Sequence, residues 1–241
     1  MKNNFLVAVT IILGFATILM SSCSKDDEND ENNNNITNVQ DVDGNTYNTV
    51  KIGTQVWMVE NLNTTKYSNG DFIPTGISSA NTSGAYENYD GNATYADTYG
   101  KLYNWHAVSD PRGLCPDGWH IPSDEEWKTL EIYIGMSPEE AEETEGERGT
   151  DEGGKLKATG TDYWISPNTG ATNEYGFTAL PGGALEIDAF VAIGQNGFWW
   201  TSTPASDDNS MYRYMHYNSP IINRKSFYKS SGLSVRCIQD N

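Results

Sequence analysis

The residues best suited to metal chemistry come early in the chain, where Asp41, Asp43 and Asn45 alternate with other residues. That spacing of oxygen ligands is typical of a calcium loop, which also needs a bidentate glutamate at its twelfth position. Counted from Asp41, the twelfth position holds Ile52, and the residues before it have a strand pattern. We therefore interpret the segment as a hairpin turn and predict no metal site there.

Other catalytic chemistry is only weakly indicated. The three histidines, His106, His120 and His216, share no ligand spacing such as His-x-x-x-His, so we interpret each as a packed or surface residue and predict no zinc site. The chain carries 33 acidic residues, so composition leaves room for a glycosidase-like pair of carboxylates. No particular pair is favoured. We predict no catalytic residue and no cofactor, and a glycan hydrolase stays as an alternative.

Aromatic residues carry the remaining functional signal, since the chain has 7 Trp and 14 Tyr among many polar residues. Flat rings with polar edges suit stacking on sugars or contacts with protein surfaces. The candidate ligand-binding residues are the dense group Trp199, Trp200, Tyr212, Arg213 and Tyr214. The tryptophans interpreted as core residues are Trp57, Trp105, Trp119 and Trp127.

The overall charge excludes one class of partner. The net charge is −18, from 33 acidic against 15 basic residues. Such a chain repels nucleic acid phosphates, so we predict no nucleic acid partner. The same charge argues against docking on anionic lipid through surface charge.

The first residues predict export and lipidation. Lys2 precedes an apolar run over residues 5–20, which is shorter than the roughly 20 residues that cross a bilayer and is typical of a signal peptide. The stretch LMSSC at 19–23 resembles the lipobox of bacterial lipoproteins, with Met20 where Leu is usual. We predict a signal peptide over residues 1–22 and lipidation of Cys23. The alternative is an ordinary secretory signal in which Cys23 is incidental.

An acidic and Asn-rich segment follows the lipid site. Residues 23–37 have almost nothing to bury and predict a flexible tether. Their start resembles the acidic tag of surface-exported lipoproteins in the Bacteroidetes group. This implies a lipid anchor in the outer membrane with exposure at the cell surface; the periplasmic face is the alternative. Residues 38–241 remain, which is about the size of one domain.

Two cysteines remain if Cys23 is lipidated, namely Cys115 and Cys237. Outside the cytoplasm an even pair predicts a disulfide. Two buried thiols are the alternative at this point.

The pattern of elements predicts an α+β fold. Residues 46–52 and 55–59 form a strand pair around Gly53-Thr54, and residues 66–100 are predicted to be long loops. A capping box at Ser123 starts a helix, Ser137 starts a second, and a short third turn carries residues 155–157. Short aromatic strands return at the end of the chain. Strands, then helices, then strands favour the α+β class.

Five ordered strings allow a resemblance to be stated. They are DVDGNTY with IGTQVWMVENL at 41–62, YGKLYNWHAV at 99–108, CPDGWHIPSDEEW at 115–127, FTALPGG at 177–183 and WWTST at 199–203. This order resembles the Fibrobacter succinogenes major paralogous domain, common in Bacteroidetes surface lipoproteins. That family is similar in pattern to the C-type lectin-like fold. The resemblance implies short antiparallel strands, two or three central helices and long loops.

The resemblance also bears on the cysteines and on function. Cys115 and Cys237 occupy the places of the long-range disulfide of the C-type lectin-like fold. Formylglycine-generating relatives need reactive cysteines, which these positions do not supply, and the tripeptides of calcium-dependent sugar sites do not occur. We expect a non-enzymatic binding or adhesion domain for a glycan or a surface protein. A structural envelope protein without a small ligand is the alternative, and the sequence leaves the oligomeric state open.

Overall fold

The computed structural model of the chain describes residues 38–144 and 148–240, together with Met1. The predicted signal peptide, Cys23 and the predicted tether lie outside the described residues, apart from Met1. No helix in the described part of the chain is both long and apolar enough to cross a membrane.

The described residues form mixed helices and antiparallel strands, which confirms the α+β class. The strands are β1 (Asn38–Gln40), β2 (Thr46–Ile52), β3 (Gln55–Met58), β4 (Tyr86–Glu87), β5 (Leu102–Tyr103), β6 (Trp119–His120), β7 (Ala184–Glu186), β8 (Ala189–Val191), β9 (Asn196–Pro204), β10 (Asn209–His216), β11 (Ile222–Tyr228) and β12 (Ile238–Gln239). The helices are α1 (Ala93–Tyr99), α2 (Trp105–Val108), α3 (Asp124–Tyr133), α4 (Pro138–Glu142) and α5 (Glu152–Leu156).

The first sheet joins the two ends of the domain. Its strand order is β1-β2-β3-β12-β6, so the last strand lies between the early hairpin and the strand before α3. The predicted strand pair at 46–52 and 55–59 is confirmed almost to the residue. The turn before it is tied by Asp41, whose carboxylate accepts from the amides of Asp43 and Asn45, both at 2.9 Å, and from Tyr47 at 2.6 Å. Asp41 therefore shapes a turn, as the sequence predicts.

Capping residues fix where two helices begin. Ser123 accepts from the amide of Glu126, and Glu126 bonds back to the amide of Ser123 at 2.8 Å, which is the predicted capping box. Ser137 caps α4 in the same way, with Pro138 at the first helical position. The predicted apolar stripe of α3, which is Trp127, Leu130 and Ile134, is at most 1% exposed.

The second sheet, in the order β11-β10-β9, has two differently covered faces. Arg213 lies opposite Trp199 and Arg224, whereas its neighbour Tyr212 lies opposite Trp200 and Lys225. Because side chains alternate along a strand, these two sets point to opposite faces. The sheet face that carries Arg213 packs against α3. The sheet face that carries Tyr212 packs into the larger of the two main hydrophobic clusters, so both faces are largely buried.

Aromatic rings fill the core between the first sheet and α3. Trp57 lies 5.0 Å from Trp127 and 5.6 Å from Phe177 between ring centroids, and Trp199 lies 6.4 Å from Trp127. All four side chains are fully buried. Rings at these distances add about 0.5–1.5 kcal/mol per pair beyond the area that they bury. Four of the strings that carry the family resemblance therefore meet in the core.

Cys115 and Cys237 form a disulfide, as predicted, across a sequence separation of 122. Their Cα atoms are 6.0 Å apart. The bond ties the segment before β6 to the last strand, and both residues are buried. It closes the chain from the segment before α3 to the last strand into one loop.

The prediction of long loops over residues 66–100 was wrong in part. It contains β4, a short 3₁₀ turn and the helix α1, which Asn92 caps by accepting from the amide of Thr94 at 3.0 Å. Asp90 lies inside the 3₁₀ turn with φ of 54°. The last regular strand is short and spans only Ile238–Gln239.

Candidate functional site

Four of the five predicted ligand residues belong to the core. Trp199, Trp200 and Arg213 have no exposed surface, and Tyr212 is 8% exposed. A fully buried side chain cannot stack on a ligand at the surface, so the prediction is corrected for Trp199, Trp200 and Arg213, and Tyr212 can contact a ligand only at its edge. Tyr214 is partly exposed and stays a candidate.

The buried tryptophans bond to the scaffold. Trp199 donates its indole N–H to Asn61 Oδ1 at 2.8 Å, and Trp200 donates to the carbonyl of Tyr103 at 2.8 Å. Neighbouring residues on β9 thus pack into two different cores, because each face of this sheet is covered. The sequence signal was the density of aromatic residues, which does not separate a covered face from an open one.

Arg213 is part of a buried network of charges. It donates to Glu131 Oε1 and to Asp124 Oδ1, both at 2.6 Å. Arg148 donates to Glu131 Oε2 at 2.6 Å, and Arg224 donates to Asp124 Oδ2 at 2.7 Å. Glu131 and Asp124, both on α3, therefore each meet two arginines. The network fastens α3 to the second sheet, which is a structural role.

A run of aromatic rings lies along β10 and β11. Tyr212 is buried, Tyr214 and Phe227 are partly exposed, and Tyr228 is exposed at the end of β11. We name Tyr212, Tyr214, Phe227 and Tyr228 the aromatic strip. Tyr212 and Tyr214 are stacked, with centroids 5.9 Å apart and an interplanar angle of 24°. Phe227 lies 5.8 Å from Tyr212 and 5.8 Å from Tyr228, which is 53% exposed. The strip thus continues from the sheet to the end of β11.

An acid and a base flank the aromatic strip. Glu186, at the end of β7, is partly buried and has no hydrogen-bond or ion-pair partner within the described residues. Burial raises the pKa of its carboxyl. Burial, followed by the charges of Tyr214 and Glu186, raises the pKa of Tyr212 well above its usual value, which places Glu186 close to this ring. The base is Lys225, whose Nζ lies 5.9 Å from the centroid of the Tyr214 ring.

A cleft lies at the β7–β8 hairpin. We name it the hairpin cleft; its volume is about 270 Å³. It is lined by Ile77, Ser78, Ser79, Leu185, Ile187, Asp188, Tyr228, Ser230 and Ser231. Tyr228 belongs both to this cleft and to the aromatic strip, so the two surfaces adjoin each other.

The tip of this hairpin is strained and exposed. Ile187 has a φ of 45° and Asp188 a φ of 65°. A β-branched residue rarely adopts positive φ, and such strain costs on the order of 1–3 kcal/mol. Ile187 is nevertheless 72% exposed, so no core contact explains its type. Asp188 fixes the tip by accepting from the amide of Ser79 at 3.1 Å.

The segment 66–98 and the β9–β10 segment 199–218 do not build one shared groove at this site. The hairpin cleft takes Ile77, Ser78 and Ser79 from the first loop and no residue from the second. A different cavity, of about 420 Å³, touches Ser68 and Ser202, but most of its wall comes from residues 113–121.

His106 and His120 lie on other elements than the aromatic strip, whereas His216 ends β10 two residues after Tyr214. His120 binds Asp240 Oδ1 through Nδ1 at 2.6 Å and Glu126 Oε1 through Nε2 at 2.8 Å, so both ring nitrogens are occupied. His216 bonds to Asn218, and burial lowers the pKa of His106. In the part of the chain that the structure describes, no group of three or more His, Cys, Asp or Glu residues could hold a metal ion.

Sequence reasoning missed Glu186, Lys225 and the hairpin tip. The only signal for the tip was the two residues Ile187-Asp188 between the short runs ALE and AFV, and Ile is not a favoured turn residue. Glu186 is one of 33 acidic residues, and nothing in the sequence around it sets it apart from the others. Only the fold brings it beside Tyr212.

The fold and its surface define an α+β domain closed by a long-range disulfide, with an exposed aromatic strip beside a strained hairpin. The model of the Fibrobacter succinogenes major domain family matches residues 50–239, and the chain belongs to this family. No curated protein matches the chain, and no solved structure matches it.

Proposed function

We propose that the chain is a lipid-anchored, non-enzymatic glycan-binding protein exposed on the outer membrane. The aromatic strip is the binding surface in this proposal. The observation that carries it is the stacked pair Tyr212 and Tyr214, of which Tyr214 is partly exposed, beside the unpaired carboxylate of Glu186.

The chemistry of the strip suits a sugar. The C–H face of a sugar ring packs on an aromatic ring, and tyrosine adds a polar edge. An ionised carboxylate accepts hydrogen bonds from hydroxyl groups, and a lysine ammonium donates them. Lys225, over the Tyr214 ring, and Glu186, whose charge acts on Tyr212, therefore supply both kinds of partner. A few polar groups around an aromatic floor are the usual make-up of a specific binding site.

The non-enzymatic part of the proposal rests on the surroundings of Glu186. Glycoside hydrolysis by two carboxylates needs a second acid facing the first. Asp188, the next acid along the hairpin, is hydrogen-bonded to Ser79 on the cleft side. A test with the same glycans should therefore find binding without release of shorter products.

The C-type lectin-like arrangement belongs to the proposal as well. Its support is the disulfide from the segment before α3 to the last strand, and the strand β12 lying between β3 and β6. The sugar site proposed here uses rings and one carboxylate, so binding should not need calcium. Chelation with EDTA should leave glycan binding unchanged.

The anchor is proposed from Cys23 and the acidic tether at 23–37. Labelling of growing cells with an alkynyl fatty acid should mark the wild type and not the Cys23→Ala variant. Equal labelling of the two proteins would refute lipidation at this residue. Protease treatment of intact cells should remove the domain; survival of the domain until the envelope is opened would place it on the periplasmic face.

Glycan-array binding of the detergent-solubilised chain tests the central proposal. Wild type should bind a defined set of glycans, and Tyr214→Ala should lose that binding. Tyr133→Ala is the matched control, because Tyr133 is 57% exposed on α3, away from the aromatic strip. No binding by wild type, or equal binding by Tyr214→Ala, would refute the proposal and favour a structural envelope protein.

A further inference from the structure

We propose that the glycan carries an N-acetylated amino sugar whose acetamido group sits in the hairpin cleft. This inference rests on the proposed glycan binding at the aromatic strip and names the class of sugar. It gives the hairpin cleft, the strained tip and Tyr228 one shared role.

The size of the cleft suits a substituent rather than a whole ligand. Its volume of about 270 Å³ lies below the range of about 300–1,000 Å³ that is usual for small-molecule pockets. A ligand held elsewhere can still place one group in it. The aromatic strip, which meets the cleft at Tyr228, is the surface that would hold the rest of the glycan.

The walls of the cleft match the two halves of an acetamido group. Ile77 and Leu185 are 8% and 5% exposed and form an apolar floor, which suits the methyl group, while Ile187 stands exposed at the rim. The hydroxyls of Ser230 and Ser231 have no hydrogen-bond partner within the described residues, and both residues line the cleft. Hydroxyls donate and accept, so they can pair with both the carbonyl and the N–H of an amide.

The charge of the cleft excludes an acidic substituent. Asp188 is the charged residue among those that line it, and no lysine or arginine does so. A carboxylate or sulfate group on a sugar would meet Asp188 without a neutralising cation, which is unfavourable. A neutral acetamido group carries no such cost.

The geometry of the hairpin places the two surfaces within reach of one ligand. Glu186 and Ile187 are consecutive residues; the charge of Glu186 reaches Tyr212 in the strip, whereas Ile187 lines the cleft. The rings of Phe227 and Tyr228, 5.8 Å apart, lead from the strip to the cleft. A sugar stacked on the strip therefore has the cleft as its neighbouring subsite.

Competition binding tests this inference on the detergent-solubilised full-length chain. The probes are tetramers of β-1,4-linked N-acetylglucosamine and of β-1,4-linked glucose. Wild type should bind the acetylated tetramer at least about tenfold more tightly, since one methyl group in an apolar pocket discriminates by roughly 10–200-fold. Ile187→Asn should bring this ratio close to one, and asparagine tolerates the positive φ at this position, so folding is preserved.

The controls separate the two proposals. Ile132→Asn changes an exposed isoleucine of α3 and should keep the preference of wild type. Equal affinity of wild type for the two tetramers, or an unchanged ratio in Ile187→Asn, would overturn the acetamido site and leave glycan binding intact. Absence of binding to either tetramer and to every array glycan would overturn both proposals.

Discussion

Asn61 accepts a hydrogen bond at 2.8 Å from the indole of Trp199, which lies 138 positions further along the chain. The same side-chain oxygen accepts from Arg236 Nη2 at 2.9 Å, and the amide nitrogen of Asn61 donates to the carbonyl of Tyr99. One buried amide thus joins three distant segments of the domain. Asn61, Tyr99 and Trp199 all belong to the strings that the family shares.

Replacing Asn61 should therefore destabilise the domain. Asn61→Leu leaves the fully buried guanidinium of Arg236 without its side-chain acceptor and the indole N–H of Trp199 unpaired. We expect a loss of about 3 kcal/mol in the free energy of unfolding, because an uncompensated buried charge is costly. Urea unfolding measures it. The exposed Asn69→Leu should cost at most about 0.5 kcal/mol, and equal losses in the two variants would contradict the role of Asn61.

The decrease in the free energy of unfolding at acid pH should depend on Asp124. Burial alone would raise the pKa of this carboxyl, but hydrogen bonds from Arg224 and the charge of Arg213 lower it to about 2. A carboxyl with a lowered pKa contributes stability above its unfolded value near 3.8, and this contribution is lost as pH falls toward 2.

Unfolding measured at pH 7 and near pH 2 checks this prediction. Wild type should exceed Asp124→Asn by about 2 kcal/mol or more at pH 7, and the difference should shrink in acid. The exposed Asp162→Asn serves as the control. A difference that is constant with pH would show that the ion pairs of Asp124 do not stabilise the fold.

Lys157 predicts a pH effect of the same direction, but in the alkaline range. Its fully buried amine donates to the carbonyls of Thr169, His216 and Ser219 at 2.9, 3.1 and 2.9 Å. Burial lowers its pKa from 10.5 to about 8. Between these values the unfolded chain binds the proton and the folded chain releases it, so the stability contributed by this group rises with pH.

A Lys157→Met variant isolates this contribution. Relative to the variant, wild type should gain up to about 3 kcal/mol in the free energy of unfolding between pH 8 and pH 10.5. Chemical denaturation across that range measures the gain. A relative loss for wild type over the same range would mean that the three carbonyls hold the ammonium charged, against this prediction.

The disulfide should make a large contribution to the stability of the domain. Cys115 and Cys237 close a loop with a sequence separation of 122. Removing such a bond costs about 2–5 kcal/mol, mainly because the unfolded chain gains freedom. The double variant Cys115→Ser with Cys237→Ser should lower the urea midpoint accordingly, whereas Cys23→Ala should leave it unchanged. No shift in the double variant would contradict the prediction.

Local chemistry made much of the scaffold predictable. The capping boxes at Ser123 and Ser137 and the hairpin at 46–58 depend on residues a few positions apart, so the sequence contains them in full. The helix α1 was missed because it buries only Ala96 and has no apolar stripe. Its position is decided by tertiary packing.

The binding surface was predictable only in part, for a different physical reason. Tyr214 was found by its aromatic surroundings, but Trp199 and Trp200 belong to the same dense stretch and are buried. Both faces of β9 are covered, so alternation along this strand does not separate core from surface. Glu186 becomes notable only because the β7–β8 hairpin places it beside Tyr212 without a partner.

A crystal structure of the protein with its best array glycan tests the central claim most directly. The account predicts a sugar ring stacked on Tyr214, with a hydroxyl within hydrogen-bond distance of the Glu186 carboxylate. A glycan bound in another groove, for example the one lined by Phe72 and His106, with the aromatic strip empty, would contradict it.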